Sequence, residues 1–254
     1  MSSSTDAGGP TRYAHLTFNA PLSSARADAL VSRLAATRPT RAVDIGCGWA
    51  ELLIRLAAGV PGVEAVGLDS DGALLARGRA AAAERGVAVR LVEGPADDLV
   101  ASLEPADVVL CIGSSHALGA DLPAALAALW ELVRPGGRVV LGEGFWEPTG
   151  PVDETLVWDD VRQLPDLAGM VDRGVAAGFV PLWVERANAD EWDAFESGYL
   201  ADVAEWLVGG APGAEPDEVA ERRRAYEEHR ERWLRGYRHG LGFAYVTLGR
   251  PVGS

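Results

Sequence analysis

From Arg41 to Gly144 the chain alternates short apolar runs with stretches of helical periodicity, and this alternation restricts the fold more than any other feature. Apolar runs fall at 41–45, 63–68, 87–92, 106–112 and 138–143, and helical spacing fills 50–58, 71–85, 96–103 and 120–133. Strands joined through helices lie parallel with right-handed crossovers, which places helices on both faces of one sheet. Ligands on such sheets sit beyond the carboxyl ends of the strands, where the strand order reverses. Asp44, Asp69, Pro95, Gly113 and Glu143 all fall at or just past such ends.

The first strand-to-helix junction, V-D-I-G-C-G-W-A-E from Val43 to Glu51, narrows the ligand. Gly46 and Gly48 allow a sharp turn and the close approach of a ligand that a Cβ would block. Twenty-one residues after Gly48 the second strand ends in Asp69, placed to hold a pair of ribose hydroxyls. Dinucleotides, nucleoside triphosphates and S-adenosylmethionine all use this architecture. A P-loop needs a lysine beside its glycines. All 23 basic residues are arginine, which excludes that site and any Schiff-base chemistry. A dinucleotide turn needs a third small residue where this chain has Glu51. A carboxylate in the first helical turn repels a pyrophosphate but suits a ligand with a cationic end, and Asp44 adds a second negative charge nearby. The sulfonium and ammonium of S-adenosylmethionine match these carboxylates. The plainer reading of Glu51 is that it complements the helix dipole.

A chain of 254 residues accommodates one large core with a modest appendage. A net charge of -14 disfavours phosphate neutralisation and adsorption to an anionic bilayer, so neither nucleic acid nor membrane is an expected partner. Cys47 and Cys111 read as small buried residues of a reducing compartment. The polar start, Met1 to Pro10, lacks an apolar signal core, and a cytoplasmic location is expected. No histidine, cysteine or acid spacing resembles a metal site.

Before the alternation, residues 1–11 read as a disordered tail and Leu22 to Ala36 as a helix. After it come helical stretches at 153–163 and 165–177 and a strand at 180–186. Two longer helices at 189–208 and 215–238 follow, then a last strand at 242–248. The mixed charges of the second long helix read as a solvated face, and Trp192, Phe195, Tyr199 and Trp206 as a buried stripe.

The chain resembles the class I S-adenosylmethionine-dependent methyltransferases, closest in appearance to small bacterial members with a helical insertion before the last strand. The resemblance is carried by V-D-I-G-C-G-W-A-E, G-L-D-S at Gly67 to Ser70, and D-V-V-L-C-I-G-S-S-H from Asp107 to His116. L-V-R-P-G-G-R-V-V-L-G-E-G-F-W from Leu132 to Trp146 and the lead-in F-N-A-P-L-S from Phe18 to Ser23 complete five motifs in the family's order. It implies an α/β, Rossmann-like, doubly wound, mostly parallel seven-stranded sheet with an antiparallel last strand and a helical cap. The implied divisions are a lid and first helix at 12–40, the cofactor-binding part at 41–186, a cap at 187–239 and the returning strand at 240–254.

The resemblance further implies that Gly46, Cys47, Gly48 and Gly113 face the methionine end of S-adenosylmethionine, with Asp44 and Glu51 towards its cationic groups. Asp69 and Ser70 would hold the ribose. Pro95 stands where such families often carry an acid, which leaves adenine to Ala96 and Asp97. His116 is the first candidate base, since it follows the fourth strand and histidine is the residue type suited to proton transfer near neutral pH; ordering of its own loop is the alternative. Glu143 is the second candidate. Tyr13, His15, Phe18 and Asn19 are assigned to a lid, and Ser115, Trp146 and Tyr199 to the acceptor side. A small-molecule acceptor and a monomer or homodimer are expected. The rival readings are a nicotinamide-dependent oxidoreductase and a non-catalytic protein that binds S-adenosylmethionine.

Overall fold

The computed structural model describes Pro10 and residues 12–253, apart from the Asp97 side chain. The tail expected over residues 1–11 therefore lies, except for Pro10, outside the described residues, among which no helix is long and apolar enough to cross a membrane.

In chain order the elements are α1 (Ser24–Ala35), β1 (Arg41–Ile45), α2 (Glu51–Gly59), β2 (Glu64–Asp69), α3 (Gly72–Glu84), β3 (Arg90–Glu93) and α4 (Ala96–Val100). They continue with β4 (Ala106–Ile112), α5 (Leu122–Leu132), β5 (Val133–Trp146), α6 (Asp159–Arg162), α7 (Leu167–Ala176), β6 (Val180–Arg186), α8 (Ala189–Val208), α9 (Pro216–Glu231) and β7 (Leu241–Gly249). The strands form one seven-stranded sheet in the order β3-β2-β1-β4-β5-β7-β6. Adjacent strands from β3 to β5 pair in parallel, and β7 pairs antiparallel to both β5 and β6. Strand order reverses between β1 and β4, which makes their carboxyl ends the switch point.

Both faces of the sheet are buried over its central strands, as a doubly wound sheet requires. Val43, Ile45, Val109, Cys111, Val139 and Leu141 pack with α5 and α7 residues on one face. Ala42, Val108, Leu110 and Val140 pack with α1 and α2 on the other. Local chemistry fixes the helix starts: Ser23 caps α1, Asp71 caps α3 and Asp121 caps α5, while α8 opens with a reciprocal capping box between Asn188 and Glu191.

Several boundaries differ from the sequence expectation. β5 runs to Trp146 because antiparallel pairing with β7 continues to Trp146↔Leu241, a partner about a hundred residues away. It also begins at Val133, with a register break between Ala106 and Val108 of its neighbour. β3 is confined to Arg90–Glu93, while Val87 and Val89 pack on the core before the ladder begins. The helix expected over 153–163 is two short turns, because Trp158 between them is extended. The helix expected over 215–238 changes to a π-helical turn at Arg232–Tyr237. The apolar strand β6 is a sheet edge with Leu182, Trp183 and Val184 exposed.

Candidate functional site

A cavity of about 540 Å³ opens over the carboxyl ends of β1, β2 and β4, and the β1–α2 turn forms part of its wall. Gly46 and Gly48 have φ of +63° and +55°, where a side chain is disfavoured. A Cβ on Gly46 would stand 2.4 Å from the Ser114 Cβ, so this turn and the loop after β4 are in direct contact. The Ser114 hydroxyl donates to the Ile45 carbonyl at 2.5 Å and fixes the same approach. Gly48 differs: a Cβ there meets nothing within 4 Å, and the residue lines the cavity.

The acidic end of β2 holds the turn. Asp69 Oδ2 accepts the Gly48 N–H at 2.7 Å, and Oδ1 accepts the Asp71 N–H at 2.9 Å. A carboxylate oxygen has two acceptor directions, so each Asp69 oxygen keeps one for a ligand. Asp44 is only 4% exposed, and its carboxylate has no hydrogen-bonding or ion-pairing partner among the described residues. Burial, then the Asp69 charge, pushes the Asp44 carboxyl well above the usual carboxylate range. The same two effects, with Asp44 added, raise the Cys47 thiol and keep it neutral.

Glu51 lines the cavity, but its charge is answered inside the protein. Arg55 donates to Oε1 at 2.8 Å, and Arg85 grips Oε1 and Oε2 at 3.0 and 2.8 Å. Burial alone would raise its carboxyl; the two guanidiniums outweigh it and hold the group below its ordinary value. The charge argument made for Glu51 from sequence is therefore corrected: Asp44, not Glu51, presents an uncompensated carboxyl.

Ser70 and Ala96 line the cavity beside Gly94 and Pro95, and Gly113 lies at the opposite wall. The Asp97 side chain lies outside what is described. His116 is exposed, sits in the short turn Ser115–Ala117 and lines the cavity. Ser115 and Glu143 are not among the lining residues. The Ser115 hydroxyl donates to Glu143 Oε2, and the Gly144 N–H donates to Glu143 Oε1 at 3.1 Å, so the carboxylate braces the loop after β4 from outside the cavity wall.

Phe18 and Asn19 reach the cavity, whereas Tyr13 and His15 stand outside it. Tyr13 lies between the rings of Trp49 and Tyr199, with centroids 5.6 and 6.3 Å away. His15 Nε2 is 3.8 Å from Asp202 and 3.9 Å from Glu205 on α8. Trp146 and Tyr199 pack in a separate cluster with Trp233 and Tyr237.

Three contributors escaped the sequence reading. Ser114 sets the space at Gly46. Trp49 donates its indole N–H to the Thr17 carbonyl at 2.8 Å. Arg77 lies 4.0 Å above the Trp49 ring and donates to the Tyr13 and Leu16 carbonyls, clamping the lead-in segment to α3. A tryptophan inside a glycine turn was the signal available for this clamp. In addition, His229 of the charged helix α9 faces inward, 2.7 Å from the buried Glu196 carboxylate, which also accepts from the Tyr237 hydroxyl at 2.7 Å.

Comparison with known proteins gives the family. Residues 42–137 match a methyltransferase domain. The chain is 32% identical over 154 residues to demethylmenaquinone methyltransferase of Thermus thermophilus, covering 60% of this chain and 70% of that one. It is 29% identical over 174 residues to trans-aconitate 2-methyltransferase of Deinococcus radiodurans, covering 68% and 64% respectively. The fold matches an S-adenosylmethionine-dependent methyltransferase of Thiobacillus denitrificans, crystallised with S-adenosylhomocysteine. That match has a TM-score of 0.80 and 24% identity over 92% of this chain and 94% of that one. A glycine turn braced by an acidic strand end at the switch point, together with these likenesses, places the chain in the class I S-adenosylmethionine-dependent methyltransferase family.

Proposed function

We propose that this protein transfers a methyl group from S-adenosylmethionine to a small-molecule acceptor, with His116 as the general base. The lead-in at 12–40 and the helices at 187–239 would form the lid and cap around a cofactor part at 41–186, with 240–254 returning to the sheet. The observation that carries the reading is the pairing of an unpartnered, buried Asp44 carboxyl with an Asp69 carboxylate that has acceptor capacity to spare. An ammonium suits the first and a ribose diol the second. Gly46, Gly48 and Gly113 leave bare backbone between them, Cys47 and Glu51 complete that wall, and Ser70 and Ala96 border the nucleoside side. Adenine recognition would fall to Ala96 and Asp97.

When bound, S-adenosylmethionine supplies an activated methyl on a cationic sulfur. What remains for the protein is alignment, worth roughly 7–11 kcal/mol when reacting atoms are held in near-attack geometry, and removal of the acceptor proton, worth about 10²–10⁴-fold. His116 lines the cavity and is exposed enough to exchange a proton with solvent. Glu143, bound to Ser115, would act indirectly by holding the loop that carries His116. Tyr13, His15 and Tyr199 would hold the lid against the cap, with Phe18 and Asn19 on the acceptor side and Trp146 packed in the cap cluster.

Replacing His116 with alanine should leave S-adenosylhomocysteine affinity within about threefold while lowering turnover by about 10²–10⁴-fold. Calorimetry beside an assay of S-adenosylhomocysteine release checks both, and undiminished turnover of a proton-bearing acceptor would remove His116 as base.

Asp44 gives a second, sign-sensitive test. Its folded pKa is raised, so ionising it costs the free protein stability as pH climbs from about 3.9 through the folded value. Asp44→Asn should therefore raise the melting temperature at neutral pH, with the gain vanishing in acid. It should also weaken S-adenosylhomocysteine binding by about 10- to 100-fold through loss of a charge-assisted hydrogen bond. Thermal melts at two pH values and calorimetry read the two effects, and a variant that loses both stability and affinity would contradict the assignment.

A further inference from the structure

We infer that the methyl acceptor is neutral or cationic, with a largely apolar body, and that an anionic acceptor is rejected at this site. The inference rests on the methyltransferase reading above and adds the chemical class of its second substrate.

The cavity wall beyond the glycine turn includes Phe18, Ala20, Leu22, Ile112 and Ala117, with Asn19 and His116 as its polar points. An apolar wall with a few polar groups is the usual form of a small-molecule site. No arginine lines the cavity among the described residues, and the residues outside the description contain none. With no lysine in the chain, only His116 there can carry a positive charge.

Arginines on the surrounding elements are already committed. Arg55 and Arg85 neutralise Glu51. Arg77 is spent on the Tyr13 and Leu16 carbonyls and the Trp49 ring. Arg26, on α1 four residues after the cavity-lining Leu22, forms ion pairs with Glu191 and Glu185. A carboxylate or phosphate entering this space would lose its hydration without gaining a guanidinium, and burial of an unpaired charge is costly.

The field inside the cavity has the opposite sign to what an anion needs. Asp44 and Asp69 both line it, and no cationic side chain besides His116 does so among the described residues. The net charge of -14 extends that repulsion to approaching anions.

The test uses the wild-type protein saturated with S-adenosylhomocysteine, with saturation measured first by calorimetry. A failure of the cofactor site thus appears separately from a failure of the charge ordering. Benzoate, benzyl alcohol and benzylammonium are then titrated as probes of matched size. The carboxylate is expected to bind at least about tenfold more weakly than either of the others, since juxtaposed like charges are strongly unfavourable. Equal or tighter benzoate binding overturns the inference. With S-adenosylmethionine and trans-aconitate, S-adenosylhomocysteine release should stay at background; saturable release overturns it as well.

Discussion

Asp69→Ala is expected to lower affinity for S-adenosylhomocysteine by about two orders of magnitude or more. The carboxylate does two jobs in one place. It accepts the Gly48 and Asp71 N–H groups, which sets the glycine turn against the end of β2, and its free acceptor directions face the cavity. Each hydrogen bond to a charged acceptor contributes about 1.5–3 kcal/mol, so loss of two to a ribose diol corresponds to roughly a hundredfold or more. The turn loses its brace as well, which should cost the free protein about 1–3 kcal/mol from two stranded N–H donors. Asp69→Asn separates the parts. Its amide oxygen can still accept the Gly48 N–H while its NH2 leaves the Asp71 N–H unpaired, so stability should recover in part while affinity stays low. Calorimetry and thermal unfolding of the two variants check this, and near-parental affinity in Asp69→Ala would remove Asp69 from the cofactor site.

Gly46→Ala should be the most destabilising small substitution in the turn. At φ +63° a side chain costs about 1–2 kcal/mol, and the new Cβ would stand 2.4 Å from the Ser114 Cβ. Forcing an atom into so tight a space costs a further 1–3 kcal/mol or so. Together these remove on the order of 3 kcal/mol from a domain whose whole stability is about 5–15 kcal/mol. The melting temperature should fall by about 10 °C. Gly48→Ala is the informative partner because a Cβ there meets no protein atom within 4 Å. It should lose only the backbone cost of about 1–2 kcal/mol, melting a few degrees below the parent, yet bind S-adenosylhomocysteine poorly, since the methyl projects from a cavity-lining position. Opposite rankings in the two assays are the expected signature. A Gly46→Ala protein as stable as the parent would show that the β1 turn and the Ser114 loop can separate.

The parts of the site that depend on neighbours in sequence were legible from the chain alone. The junction from β1 through Gly46 and Gly48 into α2 is a local pattern. The acid at the end of β2 follows from the length of one strand–helix–strand unit, and Gly113 with His116 follows β4 directly. Contacts between distant segments left little trace. Glu51 looks like a charge offered to a ligand until Arg85, 34 residues on, is seen to grip both its oxygens. Helix α9 reads as solvated because its charges are mixed, yet His229 turns inward to Glu196 on another helix. The length of β5 is set by β7 and not by its own residues. Glu143 has the position of a site residue, but it does not line the cavity and accepts instead from the Ser115 hydroxyl, 28 residues earlier in the chain.

A crystal structure of the complex with S-adenosylhomocysteine tests the cofactor assignment most directly. Both ribose hydroxyls should lie within hydrogen-bonding distance of the Asp69 carboxylate, and the amino group should lie on the Asp44 side of the Gly46–Gly48 turn. Ligand bound elsewhere, or in this cavity with the ribose away from Asp69, would contradict it.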